Sequence, residues 1–285
     1  MNQPFKSKVI FITGCSTGIG LDAAQKLTIR GHRVIASCRK EVDVERITAL
    51  GLETILMDVS DSTSIRRGFD LLLQKTEGKL DVLINNAGYG QVGALEDLSS
   101  SLLRRQFETN VFGLMELTRL AIPIMRHQGQ GRIINISSIL GFISMPFRGA
   151  YNASKYAVEG LSDTLRLELK TANIDVICIQ PGPIESQFRE NARNHSLKEI
   201  DTEHSAFKQH YEAMLEEYEK EKTANPPFTK PATAVTQKLI HAIESEKPHA
   251  KYPVTLPAYG FMILKRFLPT KALDAIIRFM FRKQV

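Results

Sequence analysis

A chain of 285 residues, 43% hydrophobic and 24% charged, is long enough for one large α/β core and shows no repeat, low-complexity tract or linker-like division. Its net charge of +6 does not mark a nucleic-acid face, because six Lys or Arg against the single Asp274 lie within residues 265–285, leaving about one net positive charge on residues 1–264. The opening MNQPFKSKVIFITG has too short an apolar run for an export signal, and PAYGFMILKRFLP near the other end falls short of the roughly 20 residues of a membrane span.

Apolar runs rich in Val and Ile predict strands at KVIFIT (8–13), RVIASC (33–38), ETILMD (53–58), DVLINN (81–86), RIINIS (132–137) and DVICIQ (175–180). Helical patterns fall between them at 18–30, 42–49, 62–76, a long stretch around 101–128, and 151–172. Strands apolar throughout are buried on both faces, and their alternation with helices predicts right-handed βαβ units in one doubly wound parallel sheet of about seven strands. Residues 1–285 are therefore expected to form a single α/β domain. Ligands of such sheets bind beyond the carboxyl ends of the strands, so the residues after each run are the ones to examine.

After about residue 185 the rhythm breaks. Segment 189–230 is polar, contains His195, His204 and His210, and includes the acidic EAMLEEYEKEK. Its histidines place no ligand pair on one helical face and no cysteine joins them, so no metal is expected and a solvated face or substrate lid fits better. Residues 258–285 form a basic amphipathic segment. Cys15, Cys38 and Cys178 are scattered without a CxxC pair, as expected of small buried hydrophobes in a reducing, cytoplasmic setting.

The first strand ends in TGCSTGIG (13–20), where Gly14, Gly18 and Gly20 allow a tight turn that brings backbone N–H groups and a helix N-terminus to a pyrophosphate. Glycines also end strands for structural reasons alone. The second strand ends in ASCRK. Ser37 and Arg39 stand where an acid would bind a ribose 2′-hydroxyl, so Arg39, with Lys40 beside it, favours NADP(H) over NAD(H), unless both are solvated strand-end charges. Asp58 and Val59 after the third strand suit an adenine amino group and ring. NNAG (85–88) offers small residues against a cofactor. Ser138 in NISSILG is either a turn residue or a donor to a substrate carbonyl. Tyr151 and Lys155 in AYNASKYAVEG are four apart, on one helical face.

TGCSTGIG, NNAG, the serine, YNASK and PGPIES (181–186) together, in order and spacing over roughly residues 6–188, resemble the short-chain dehydrogenase/reductase family. The resemblance implies a Rossmann-type fold and an NADP(H)-dependent oxidoreductase. It identifies Tyr151 as acid/base, Lys155 as its partner and ribose ligand, Ser138 as the hydroxyl that orients a substrate carbonyl, and Asn110 in FETNVFG as holder of a relay water. Gly14, Ser16, Thr17, Gly18, Ile19 and Gly20 resemble the phosphate turn, and Asn86, Ala87 and Gly88 the ribose wall. Pro181, Gly182, Ile184 and Ser186 resemble the nicotinamide loop, with Ser186 in place of the usual threonine. A lysine ammonium and a cationic nicotinamide would both favour the tyrosine phenolate.

Within the family the chain is most similar to a branch with 17β-hydroxysteroid dehydrogenase type 1, retinol dehydrogenases and bacterial NADP-dependent aldehyde reductases. The implied substrate is a small apolar aldehyde, ketone or alcohol. A 3-oxoacyl-thioester reductase is the alternative and would want a basic docking patch near the active-site mouth; a cofactor-sensing protein without catalysis would not need Asn110, Ser138, Tyr151 and Lys155. In the tail, Leu273, Ile276, Ile277, Met280 and Phe281 recur on one helical face, with Lys271, Arg278 and Arg282 largely elsewhere. That stripe packs on the domain, on a second subunit in a homo-oligomer, or on anionic lipid at the inner face of a membrane.

Overall fold

The computed structural model describes residues 6–185, 197–221 and 227–280. Seven parallel strands form one sheet in the order β3-β2-β1-β4-β5-β6-β7. They are β1 (Val9–Ile12), β2 (Arg33–Cys38), β3 (Glu53–Leu56), β4 (Val82–Asn85), β5 (Gly131–Ile136), β6 (Ile174–Gln180) and β7 (Lys251–Pro253). Six match the apolar runs of the sequence. The seventh is a three-residue edge strand whose pairing with Cys178–Gln180 no apolar run announces.

Alternation along each strand divides the interior into two cores. Ile10, Ile12, Ile84, Ile134 and Ile177 face a layer made with α1 (Gly18–Ile29) and a later helix, α8 (Thr233–Glu244). Phe11, Ile35, Leu83, Ile133 and Val176 face the other layer, made with α3 (Ser62–Thr76), α5 (Leu114–His127) and α6 (Gly149–Glu168). Each such fully buried Ile or Phe contributes about 1.5–3 kcal/mol, so the register of every strand is fixed by both faces at once. The chain reverses its sheet direction between β1 and β4, which opens a crevice at their carboxyl ends.

The long helix expected at 101–128 is three pieces. Between α4 (Ser100–Phe107) and α5 the chain widens into a π-helical turn, Glu108–Gly113. The cause is local close packing: a Cβ on Gly113 would overlap the Val59 carbonyl oxygen, so glycine lets this turn press against the end of the third strand's loop. Wide turns of this kind re-aim a side chain without ending the helix, and here the side chain is Asn110.

The remaining helices are α2 (Glu41–Ala49), α7 (Lys208–Glu221), α9 (Leu256–Phe267) and α10 (Thr270–Met280). Of the expected lid at 189–230, the described part anchors through Ile200, Tyr211 and Met214 onto Val92, Leu98 and Ala150. The tail is two helices, and its predicted stripe is used internally: Leu273, Ile276 and Ile277 pack with Phe261, Leu140 and Ile143 beside Tyr151, whereas Met280 is exposed. Phe281 and Arg282 lie outside the described residues. No helix among the described residues is long and apolar enough to cross a membrane.

Because Gly113 lacks space for a methyl group against backbone, Gly113→Ala should destabilise the fold by at least about 3 kcal/mol in urea unfolding. A loss below about 1 kcal/mol would contradict this account of the π-turn.

Candidate active site

The loops after β1 and β4 meet at the crevice. The Thr13 hydroxyl accepts from the backbone N–H of Asn86 and Ala87, each at 3.0 Å, and the Asn86 carboxamide donates to the carbonyls of Thr13 (2.8 Å) and Gly14 (2.9 Å). Gly14 has φ +70°, and a Cβ there would sit 2.8 Å from Ala87 Cα, so only glycine fits between these loops. Gly18 also has positive φ, and Gly20 lies against the Gly14 carbonyl. Thr17 precedes α1, whose first turn carries no acidic residue, and Ile19 packs on the core. The Ser16 carbonyl accepts from Arg46 at 2.7 Å, which ties α2 to the turn; sequence reasoning missed Arg46 because it lies 30 positions away.

At the end of β2 the structure separates two residues that the sequence placed together. Ser37 is fully buried with no hydrogen-bond partner for its hydroxyl, whereas Arg39 and Lys40 are exposed. Asp58 Oδ1 accepts from the Ser60 N–H (2.9 Å) and hydroxyl (2.7 Å), and Val59 is buried. After β6, the Pro181 carbonyl accepts from Ile139 N–H at 2.8 Å, Gly182 abuts the Thr255 hydroxyl, and Ile184 bridges to Lys230. Ser186 lies outside the described residues. The glycine cradle and the acid-free helix end fit a dinucleotide.

Ser138, Tyr151 and Lys155 converge where β5 ends against α6. Ser138 opens a short turn after the strand and accepts from Leu140 N–H at 3.1 Å. Its hydroxyl also hydrogen-bonds with Tyr151. Lys155 donates to the Ile136 carbonyl at 2.8 Å, and its Nζ lies 5.7 Å from the centre of the Tyr151 ring. Asn110 accepts from Tyr89 N–H (3.1 Å) and donates to the Tyr89 carbonyl (3.0 Å) and Ser154 hydroxyl (3.1 Å). The methyl position at Gly88 would be 3.0 Å from Asn110 Oδ1 and 3.8 Å from Lys155 Nζ, so both groups border one small space. Ser154 lies inside YNASK and Tyr89 directly follows NNAG, yet the sequence assigns neither a role, and only this geometry identifies them as the clamp on Asn110.

Burial dominates the electrostatics. It pushes the Tyr151 hydroxyl up to about 12, opposed by the Ser138 hydrogen bond and the Arg148 charge. It pulls the Lys155 ammonium down to about 8, opposed by the fields of Cys178 and Glu159. The expected lowering of Tyr151 by Lys155 is not what this arrangement gives, because the ammonium faces the ring and donates to a carbonyl rather than to the phenol oxygen. Tyr151 is therefore protonated near neutral pH in the protein alone. All three cysteines are buried, and burial raises each thiol.

A family model described as short chain dehydrogenase matches residues 8–197. The chain belongs to the short-chain dehydrogenase family. This short-chain dehydrogenase is 40% identical over 272 residues to the uncharacterized oxidoreductase YbbO of Escherichia coli K12, covering 95% of this chain and 94% of that one. It is 31% identical over 274 residues to an NADPH-dependent 3-dehydrocapnine reductase of Ornithobacterium rhinotracheale, covering 93% and 94%. A solved short-chain dehydrogenase from Burkholderia phymatum, in complex with NAD, superposes with TM-score 0.77 at 27% identity over 93% of this chain and 94% of that one. The protein is thus an oxidoreductase of carbonyl and alcohol groups, in a family whose members use NADH or NADPH.

The Lys155 value gives a pH test on cofactor-free protein. Its folded value near 8 is below the ordinary lysine value of 10.5, so between these the unfolded chain binds more protons and stability rises with pH. Tyr151 opposes this only above 10, where an unfolded tyrosine ionises. From pH 8 to about 10, wild type should gain on the order of 2 kcal/mol relative to Lys155→Met in urea unfolding. A pH-independent difference between the two would contradict the burial of Lys155.

Proposed function

We propose that the protein is an NADPH-dependent reductase of apolar aldehydes and ketones. The observation that carries this reading is a buried, protonated Tyr151 hydroxyl beside Ser138, set in an apolar wall of Leu140, Ile143, Phe261 and Ile277. A phenol held neutral is in the right state to give a proton. One helical position on, Asn152 lines a cavity of about 750 Å³ with Leu95, Pro146 and Phe207. Met145 borders both this cavity and the cluster around Tyr151, which suits a substrate with a long apolar body.

The turn from Gly14 to Gly20, including Ser16, Thr17, Gly18 and Ile19, would hold the pyrophosphate. Asp58 and Val59 would hold the adenine, Asn86, Ala87 and Gly88 the ribose wall, and Pro181, Gly182, Ile184 and Ser186 the nicotinamide side. Arg39, exposed and without an ion pair among the described residues, would meet a 2′-phosphate. The reduced nicotinamide, when bound, supplies the hydride to the carbonyl carbon. Ser138 donates to the carbonyl oxygen and steadies the charge that develops there, worth about 3 kcal/mol in comparable sites. Tyr151 gives its proton to that oxygen. Lys155 holds the nicotinamide ribose, and Asn110, fixed at three hydrogen bonds, orders a water that returns a proton from solvent.

The 3-oxoacyl-thioester reading gains one observation: the basic helices α9 and α10 fold onto the layer that contains Tyr151, where a docking patch would be needed. A panel of aldehydes, ketones and acyl thioesters followed by NADPH oxidation separates the readings. Long-chain aldehydes or ketones should exceed thioesters in kcat/KM by about tenfold or more, and a thioester at the head of the panel would overturn the reading. Arg39→Asp should lower the preference for NADPH over NADH by about ten- to a hundredfold, the range of a charge-assisted hydrogen bond. An unchanged preference would remove Arg39 from that role.

A further inference from the structure

The inner faces of α9 and α10 are committed to the wall beside Tyr151, through Phe261 and Leu264 on one helix and Leu273, Ile276 and Ile277 on the other. Lys265 fixes the rotation of α9 by lying over the Tyr156 ring of α6, 4.9 Å from its centre. The opposite face of α9 then turns outward. It carries Leu256, Tyr259, Ile263 and Phe267, spaced by three, four and four positions, and these are 67%, 39%, 54% and 77% exposed. A stripe of four large apolar residues on one helix is more than scattered surface hydrophobicity.

Charge identifies what covers it. Apart from Lys265, which lies over Tyr156, the two helices hold Arg266, Lys271 and Arg278 against Asp274 alone, and none of these three cations has an ion pair among the described residues. Against a second copy, the same face would bring two cationic patches together. An acidic carrier protein would meet the charges but has no need of an apolar stripe. A bilayer with anionic headgroups meets both: it takes the cations at the headgroups and the apolar side chains at the acyl boundary.

We propose that α9 and α10 are a docking surface for anionic membranes, with Leu256, Tyr259, Ile263 and Phe267 entering the interface. The surface differs from the stripe picked out by sequence periodicity, because Leu273, Ile276 and Ile277 point into the protein. Helix α9 alone then lies between the bilayer and the apolar wall of Tyr151. Delivery of an apolar carbonyl past that helix rests on the reductase reading, whereas the docking itself does not.

Truncation of the tail would expose the Tyr151 wall, so point variants of the full chain are the cleaner test. Flotation with vesicles of phosphatidylglycerol and phosphatidylcholine should show binding of the wild type, weak binding to phosphatidylcholine alone, and release as salt rises from about 0.1 to about 0.5 M. Ile263→Glu with Phe267→Glu should lower partitioning by at least about tenfold, and Arg266→Glu with Lys271→Glu should weaken only the binding to anionic vesicles. Reduction of a water-soluble aldehyde should be unchanged in both variants, which verifies their fold. Wild type that stays off anionic vesicles, a glutamate pair at 263 and 267 that binds undiminished, or the same pair dissociating a dimer without any lipid binding in wild type would each overturn the proposal. Vesicle binding without reductase activity would instead sink the reductase reading and leave the docking intact.

Discussion

Burial of Tyr151 and Lys155 on one face of α6 is the constraint from which the chemistry follows. Two groups that would both be comfortable in water are held out of it, and each is pushed toward its neutral form. The protein meets the cost with directed partners: Ser138 for the phenol and the Ile136 carbonyl for the amine. A phenol near 12 is a poor base but a competent proton donor once an alkoxide, far more basic, develops beside it. In the reduction proposed above, Tyr151 is therefore already in the state that gives a proton.

The scaffold exists to keep those partners in place. Asn85 donates to Asn135 at 2.9 Å and Asn135 to Ser162 at 2.8 Å, a buried chain that locks β4, β5 and α6 together at the carboxyl ends of the two strands, next to the Ile136 carbonyl that holds Lys155. The π-turn does the same from the other side, since Gly113 allows the turn to close on Val59 and Asn110 then clamps Tyr89 and Ser154. Further along α6, Glu159 accepts from Gln180 and pairs with Lys251, which joins the helix to the last two strands. Small shifts at any of these positions would be felt at the Tyr151 hydroxyl.

Six strands were legible because each is apolar on both faces, and the glycines at 14, 18 and 20 were legible because their backbone needs leave a mark in the sequence. Less was legible where a role depends on close approach from afar. The break at 108–113 is invisible to periodicity because one glycine in a helical run has many uses, and only contact with Val59 gives this one its meaning. Ser37 stood with Arg39 where an acid would bind a ribose 2′-hydroxyl, but as the fifth residue of β2 it is fully buried, so only Arg39 is left exposed at that strand end. The tail showed amphipathicity correctly but could not show which side met protein, since α9 supplies a second apolar face that the sequence merges with the first.

The proposed reaction depends on Tyr151 as the proton donor, and replacement by phenylalanine removes one oxygen while keeping the ring in its apolar setting. NADPH affinity and NADPH-coupled reduction of the best aldehyde should be measured on Tyr151→Phe beside wild type. Affinity should stay within about threefold while turnover falls by about a thousandfold or more. Turnover within about tenfold of wild type would contradict the account.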